Sequence, residues 1–178
     1  IDPEQGFGQA YNAHLKLGLV PVLYLPWMSF PVNDKRRSGF LYPKMNFNSS
    51  GEIHLIAPYY LDLAPNYDAT ITPHKTWARG ILLSALGRYL NQTGSQSIEL
   101  AWTPRDRITQ QQRWLLDINH QGQLDSNWST SLSYSRLSDV DFITDFAYNL
   151  TKGSKTSLKN SVVLSYQANN GNPLLDHF

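Results

Sequence analysis

Apolar and polar residues alternate with a period of two along most of the chain, the signature of strands with two unlike faces. The cleanest case sets Trp128, Leu132 and Tyr134 against Ser129, Ser131, Ser133 and Ser135. The same alternation sets Ile98, Leu100 and Trp102 against Ser97, Glu99 and Thr103, and Trp114, Leu116 and Ile118 against Arg113, Asp117 and Asn119. Val162, Leu164 and Tyr166 oppose Ser161, Ser165 and Gln167, and Ile81, Leu83, Ala85 and Tyr89 share a parity that Leu82 and Leu86 blur. The pattern predicts about eight antiparallel strands of roughly ten residues, a length that spans a bilayer when tilted. No segment carries a convincing amphipathic helical period. Ahead of these strands, residues 11–30 predict two short strands broken by Gly18 and Pro26, and Pro31-Val-Asn-Asp34 reads as a linker.

The hairpin from 40 to 63 can be placed in register. Directly opposed residues share a face. A three-residue loop at 49–51 puts Phe47 opposite Ile53 and Met45 opposite Leu55, giving one apolar and one mostly polar face. A two-residue loop would set Phe47 against His54 and mix the faces. The three-residue loop also puts Gly51 where a left-handed residue is wanted. The next turn, Ala64-Pro65-Asn66, sets Asp62 opposite Asp68. Opposed carboxylates are unfavourable unless wetted, bridged by a cation or paired with Lys or Arg. A hydrated pair at a strand end is the expectation, with a bound cation as the alternative.

Prolines interrupt this pattern. Proline cannot donate to a sheet ladder and is confined to edges, strand ends and bulges. Pro43 and Pro58 fall within two successive expected strands and, in the register above, on adjacent rungs. They predict a weakly paired seam.

Composition narrows the class without deciding it. The 178 residues carry a net charge of +1, 16% charged residues, 12% aromatics with five Trp and ten Tyr, and no cysteine. The mean hydropathy is −0.39. The charge gives no electrostatic case for nucleic acid, and the absence of cysteine excludes disulfides and thiolate metal sites from this stretch. Composition alone suits a soluble β-sandwich and also a transmembrane β-barrel, whose apolar exterior and polar interior average to mild polarity. Two further patterns favour the membrane. If the first strand runs outward, Trp77, Trp102 and Trp114 fall near the outer strand ends and Tyr67 and Trp128 near the inner ones, as girdles do. The inner connections (64–66, around 91–96, around 122–126) are short, while the outer ones lengthen to 104–111 and 138–160. The absence of a signal sequence at residue 1 suggests an internal fragment of a longer exported protein.

Residues Gly6-Phe-Gly8, Val20-Pro-Val-Leu-Tyr-Leu-Pro-Trp27, Asp34-Lys-Arg-Arg-Ser-Gly-Phe-Leu-Tyr-Pro43, Pro58-Tyr-Tyr60 and 64–73 resemble the LptD (Imp/OstA) family of LPS-assembly outer-membrane proteins of Gram-negative bacteria. The likeness continues through Gly87-Arg-Tyr-Leu90, Arg113-Trp114, Ser138-Asp139 and Asp145-Phe146. It is densest over 20–73. Trp27-Met28 departs from the family's usual pair there, and no family cysteine falls in this window.

The resemblance implies an all-β architecture. Residues 1–34 would end a periplasmic β-jelly-roll, and 35–178 would form the first strands, about eight, of a large transmembrane β-barrel. It implies a lipopolysaccharide conduit in the outer membrane with no enzymatic activity and no cofactor. Its partners would be lipopolysaccharide, the plug lipoprotein LptE, the periplasmic bridge protein LptA and outer-membrane lipids. Pro43 and Pro58 map onto the family's lateral gate, where prolines keep the first strands weakly paired. Lys35, Arg36 and Arg37 would contact lipid A phosphates or, more plainly, form a solvated rim at the inner membrane face. Two rival readings are a small self-contained barrel or porin-like channel and a soluble carbohydrate-binding β-sandwich.

Other candidates carry little chemistry. Asp139, Asp141 and Asp145 lack the turn glycine of a calcium loop, so with Phe142 and Phe146 they predict a loop folded over. The five histidines have no metal-ligand spacing, and no metal site is expected. No serine sits in a Gly-x-Ser-x-Gly elbow. Glu52, Glu99 and Asp117 read as residues lining a lumen. The Asn-x-Ser/Thr matches at Asn48, Asn91, Asn127 and Asn149 carry no meaning in a bacterial barrel.

Overall fold

The computed structural model describes residues 7–17, 19–31, 36–47, 52–146 and 160–168. Two antiparallel sheets account for nearly all of them. The first is a hairpin of β1 (Phe7–Leu17) and β2 (Val20–Pro31). Pro26, expected to break the second strand, does not: β2 runs through both Pro21 and Pro26. The paired positions skip from Tyr11↔Trp27 to Ala13↔Leu25. At the skipped position Asn12 takes a φ of 53°, so the local irregularity falls where Pro26 has no donor to offer.

The second sheet holds β3 (Gly39–Phe40), β4 (Lys44–Phe47), β5 (Ile53–Ile56), β6 (Tyr59–Ala64), β7 (Tyr67–Thr76), β8 (Gly80–Asn91), β9 (Gly94–Thr103), β10 (Arg113–Gln123), β11 (Trp128–Leu137) and β12 (Ser161–Tyr166). From β7 to β12 it is a plain meander, each strand antiparallel to the next. β3 with β4, and β5 with β6, are two passes each cut in half, so the sheet makes eight passes in all, the number the alternation predicts. It does not close on itself among the described residues.

The cuts fall at the prolines. Pro43 and Pro58, expected inside two successive strands, lie outside any strand: Pro43 between β3 and β4, Pro58 between β5 and β6. The ladder is severed there rather than thinned, because neither proline can donate to carry it through. β4 pairs β5 in the expected register, with Met45↔Leu55 and Phe47↔Ile53. Beyond the gap β3 pairs β6 through Phe40↔Tyr59. That register is displaced by one residue, and one residue of slip exchanges the faces. The gap itself is crossed by Leu41 N–H donating to the Pro58 carbonyl at 2.9 Å. On the far side Ala57 N–H donates to the Pro73 carbonyl at 3.2 Å.

α1 (Phe142–Phe146), a five-residue helix, covers the long-loop end of one face of the sheet; the opposite face is open. The covered face carries His74, Thr76, Ser84, Glu99, Thr103, Arg113, Asp117 and Ser135, all buried. Its apolar core is small: Leu82, Ala101, Leu115, Phe142 and Phe146. The open face carries Ile81, Leu83, Ile98, Leu100, Trp102, Val162, Leu164 and Tyr166, between 41% and 81% exposed. Burying such a side chain is worth about 1.5–3 kcal/mol, and a whole domain is stable by only about 5–15 kcal/mol. A sheet that leaves eight of them open and encloses its carboxylates is arranged for an apolar surrounding.

The helix was not legible as an amphipathic period because five residues make little more than one turn. The short turn between β8 and β9 depends on Gly94, which faces Gly122 across the β9–β10 ladder. A Cβ on Gly94 would run into the backbone of Gln121 and Gly122, which cannot move aside. Gly94→Ala in the full-length protein is therefore expected to cost about 1–3 kcal/mol. Gly87→Ala, whose Cβ would meet nothing nearer than the Ile98 Cγ2 at 3.4 Å, should cost far less. The midpoint of heat-induced mobility change on gels compares the two.

Candidate functional site

Three places in the large sheet gather groups of functional interest: the severed seam, a charged cluster at the end with the short turns, and a second cluster under α1 at the end with the long loops. The seam is described above. Leu41 and Phe47 beside it are exposed, 38% and 56%. Directly behind it His54 and His74 stack with ring centroids 5.3 Å apart, Nδ1 to Nε2 3.2 Å, both buried. This contact ties β5 to β7 just past the break.

At the short-turn end Asp62 lies opposite Asp68 as expected, but across a turn of two residues rather than three: Ala64 pairs with Tyr67, and an irregularity between Asp62 and Ala64 restores the alignment. The pair is neither simply hydrated nor arranged around a cation, because arginines reach it. Arg88 donates to Asp68 through Nε at 2.8 Å and Nη2 at 3.0 Å. Arg36 donates to Asp68 Oδ2 at 2.8 Å, to the Tyr60 hydroxyl at 2.9 Å and to the Pro65 carbonyl at 2.8 Å. Its Nη2 also lies 3.6 Å from Asp62. Arg36, expected on a solvated basic rim, is exposed there, and its guanidinium also clamps the segment entering β3 to the turn after β6. Arg37 is exposed, and Lys35 lies outside the described residues.

At the long-loop end the loop folds over, as Asp139, Asp141 and Asp145 without a turn glycine predict. Phe142 and Phe146 pack face to tilted face, 4.9 Å between centroids, against the sheet. Arg113, 2% exposed, meets three carboxylates. It donates to Asp139 through Nε at 2.8 Å and Nη2 at 2.5 Å, and through Nη1 to Asp106 and Asp145, each at 2.7 Å. Arg79 donates to Asp106 at 2.8 Å and Asp145 at 2.5 Å. The guanidinium of Arg113 lies over the Phe142 and Phe146 rings at 5.6 and 5.4 Å. Among the described residues no group of three or more ligating side chains could hold a metal. Arginines occupy the space a cation would take.

Burial works against the charge of Asp106, but hydrogen bonds from Arg113, the Ile108 amide and Arg79 outweigh it and hold the carboxyl below its ordinary value. Hydrogen bonds from Arg113 and then Ser138 hold Asp139 low, against its burial. Neither Asp106 nor Arg79 was picked out by the sequence; Arg113, Asp139 and Asp145 were, as parts of the family resemblance. Glu99 and Asp117, expected to line a lumen, face each other on the covered side. Asp117 there accepts hydrogen bonds from Ser135 and Asn119.

The open face ends in aromatic pairs at both levels. Trp102 pairs with Trp114 across β9 and β10 at the long-loop end. At the short-turn end Tyr67 meets Tyr89 at 6.5 Å and Trp128 meets Tyr166 at 4.9 Å.

Residues 111–175 match the model of the family described as LptD, LPS transport system D. The chain is 42% identical over 152 residues to the LPS-assembly protein LptD of Yersinia enterocolitica, which covers 81% of this chain and 19% of that protein. It is 37% identical over 166 residues to the protein of the same name from Nitrosomonas eutropha, covering 93% of this chain and 23% of that one. With that of Xanthomonas euvesicatoria it shares 36% over 163 residues, 91% and 20% of the two chains. The chain thus spans about a fifth of the length of the curated relatives it matches.

The ionic cluster under α1 makes a sharp expectation. Removing one partner of a buried ionic network costs about 3–5 kcal/mol because the others stay buried and unpaired. Arg113→Ala should therefore undock α1, seen as rapid protease cleavage within residues 138–146. Arg113→Lys should rescue it only in part, since a compact ammonium lacks the planar fork that meets both Asp139 oxygens while also reaching Asp106 and Asp145. Carboxylates with lowered pKa stabilise the docked loop fully above their unfolded value of about 3.9. That contribution is lost as the pH falls through the folded values. Docking should hold from neutrality to about pH 5 and weaken only in stronger acid. An Arg113→Ala protein as resistant to protease as the wild type would contradict this.

Proposed function

This chain belongs to the LptD family, and on that premise we propose that it forms part of a barrel wall through which lipopolysaccharide enters the outer leaflet of the Gram-negative outer membrane. The observation that carries the reading, beside the family itself, is the inversion of the sheet. Its apolar side chains lie on the open face and its charges on the covered one, so the open face would meet lipid and the covered face a polar lumen. The aromatic pairs at both levels support it, as do the short turns at one end and the long loops at the other. The short-turn end would face the periplasm and the α1 end the exterior.

In this reading residues 1–34 close a periplasmic jelly-roll and 35–178 begin the barrel. The separate β1–β2 hairpin supports that division. The work is mechanical rather than catalytic. Pro43 and Pro58 form the lateral gate: at the severed ladder between the first two passes, hydrogen bonds are missing and opening costs less, at about 0.5–1.5 kcal/mol net for each bond never made. Acyl chains would leave sideways into the membrane while sugars follow the polar face. Lys35 and Arg37 would meet lipid A phosphates near the inner rim. Arg36 has its guanidinium on Asp68, so a phosphate would have to displace that carboxylate. LptE as plug, LptA as the periplasmic donor and outer-membrane lipids as surroundings complete the set of partners.

The gate is tested in the full-length protein. Pro43→Ala with Pro58→Ala should allow the ladder to be completed, tighten the seam and slow the appearance of newly made lipopolysaccharide at the cell surface. Unchanged surface delivery and unchanged exclusion of large antibiotics would sink the gate assignment.

A further inference from the structure

Residues 67–146 carry seven Lys and Arg side chains. Arg88 is paired with Asp68 at the short-turn end, and Arg79 and Arg113 with carboxylates under α1. The other four, Lys75, Arg105, Arg107 and Arg136, form no ion pair among the described residues. All four stand at the long-loop end. Lys75 and Arg136 are each one residue short of the end of their strands. By parity they lie on the open face, Lys75 with Tyr67 and Ile71, Arg136 with Tyr134. Apolar residues stand directly opposite them, Leu55 and Ile81 beside Lys75 and Leu116 beside Arg136. Arg105 and Arg107 are exposed in the connection from β9 to β10. Arg107 reaches the Trp77 carbonyl at 3.4 Å and Arg105 the Gln110 side chain at 2.9 Å, neither of which neutralises a charge. The stretch from 147 to 159 adds three lysines and no Asp or Glu, so it brings these cations no carboxylate.

We propose that this basic rim of the open face binds the phosphate groups of lipid A, on lipopolysaccharide already seated in the outer leaflet around the wall. Three features select this occupant. A cation beside lipid calls for a counter-charge, and phosphate meets guanidinium and ammonium with strong charge-assisted bonds. The rim lies at the level of the Trp102–Trp114 pair, where headgroups and acyl chains meet. The cations are also one-sided: at the short-turn end these strands carry only Arg88, which Asp68 occupies. That asymmetry suits an anionic lipid confined to one leaflet better than a phospholipid present in both. The rim is on the outside of the wall, away from the proposed route of the sugars. It therefore holds the lipid that has been delivered, not the one in transit.

The inference rests on the lipid-facing reading of the open face, and the experiment separates the two. The photoreactive residue p-benzoylphenylalanine replaces Trp102 in the full-length protein with its natural partner subunits. The protein is reconstituted in phosphatidylethanolamine vesicles holding equal minor shares of phosphatidylglycerol and lipid A, and the lipids cross-linked on illumination are identified by mass. With the native rim, lipid A should be labelled in excess over phosphatidylglycerol. Changing Lys75, Arg105, Arg107 and Arg136 together to Gln should lower that excess about tenfold. Changing the three arginines to Lys, which keeps the charge, should preserve most of it. Lipid A stripped of its phosphates should show no excess on the native rim, a comparison that needs no variant to fold. Equal labelling of lipid A with and without phosphates, equal labelling by the native and Gln rims, or phosphatidylglycerol favoured over lipid A overturns the site alone. No lipid cross-linked to position 102 in any protein overturns the lipid-facing reading beneath it.

Discussion

A strand that crosses a bilayer has no water to satisfy its amides and carbonyls, so each rung must be made by the neighbouring strand. The meander from β7 to β12 obeys this with long, uninterrupted registers. The first two passes do not. At Pro43 and Pro58 the ladder is cut, the registers on either side differ by one residue, and a few backbone bonds span the break. The wall is thus continuous except at its leading edge. If the sheet lies in a bilayer, as proposed, unmade bonds are costly and such an edge has to be held by something else.

What holds it is charge at the short-turn end and a histidine contact past the break, while a separate cluster braces the opposite end of the sheet. Arg36 ties the entering chain to Tyr60, Pro65 and Asp68, so the start of β3 is anchored below the break. The His54–His74 contact fastens β5 to β7 above it. At the far end Arg79 and Arg113 draw the segments at 106, 139 and 145 together and press two phenylalanines onto the covered face. Polar networks of this kind are stable only when every member is satisfied. They sit on the face away from the proposed lipid, where water in a lumen can complete them. The open face needs no such devices and carries aliphatic and aromatic residues instead.

Much of this could be read from the sequence because a two-residue period leaves little freedom. Phe47 opposite Ile53 followed from parity and turn length, since a slip of one would turn every side chain to the wrong side; Asp62 opposite Asp68 was also foreseen, but there a turn one residue shorter than expected is offset by an irregularity between Asp62 and Ala64. The partners that resolve those placements could not be read. Arg36 and Arg88 reach Asp68 from 32 and 20 residues away, and Arg79 reaches Asp145 from 66 residues away. No local pattern encodes such distances. Prolines misled in both directions. Pro26 sits in a strand because its hairpin tolerates one missing donor, while Pro43 and Pro58 end strands they were expected to occupy. Proline marks where a donor is missing, and only the neighbouring strand decides whether that donor was needed.

The family places the chain, but the direction of the two faces carries the physical account. Spin labels attached one at a time at Ser97, Ile98, Glu99, Leu100, Ala101 and Trp102 test it most directly. They are placed in the full-length protein, reconstituted in vesicles with its other thiols blocked. Labels at Ile98, Leu100 and Trp102 should collide chiefly with oxygen dissolved in the lipid, and labels at Ser97, Glu99 and Ala101 should not. A period of two in that order supports an apolar face turned to lipid. No alternation, or the reverse order, would contradict it.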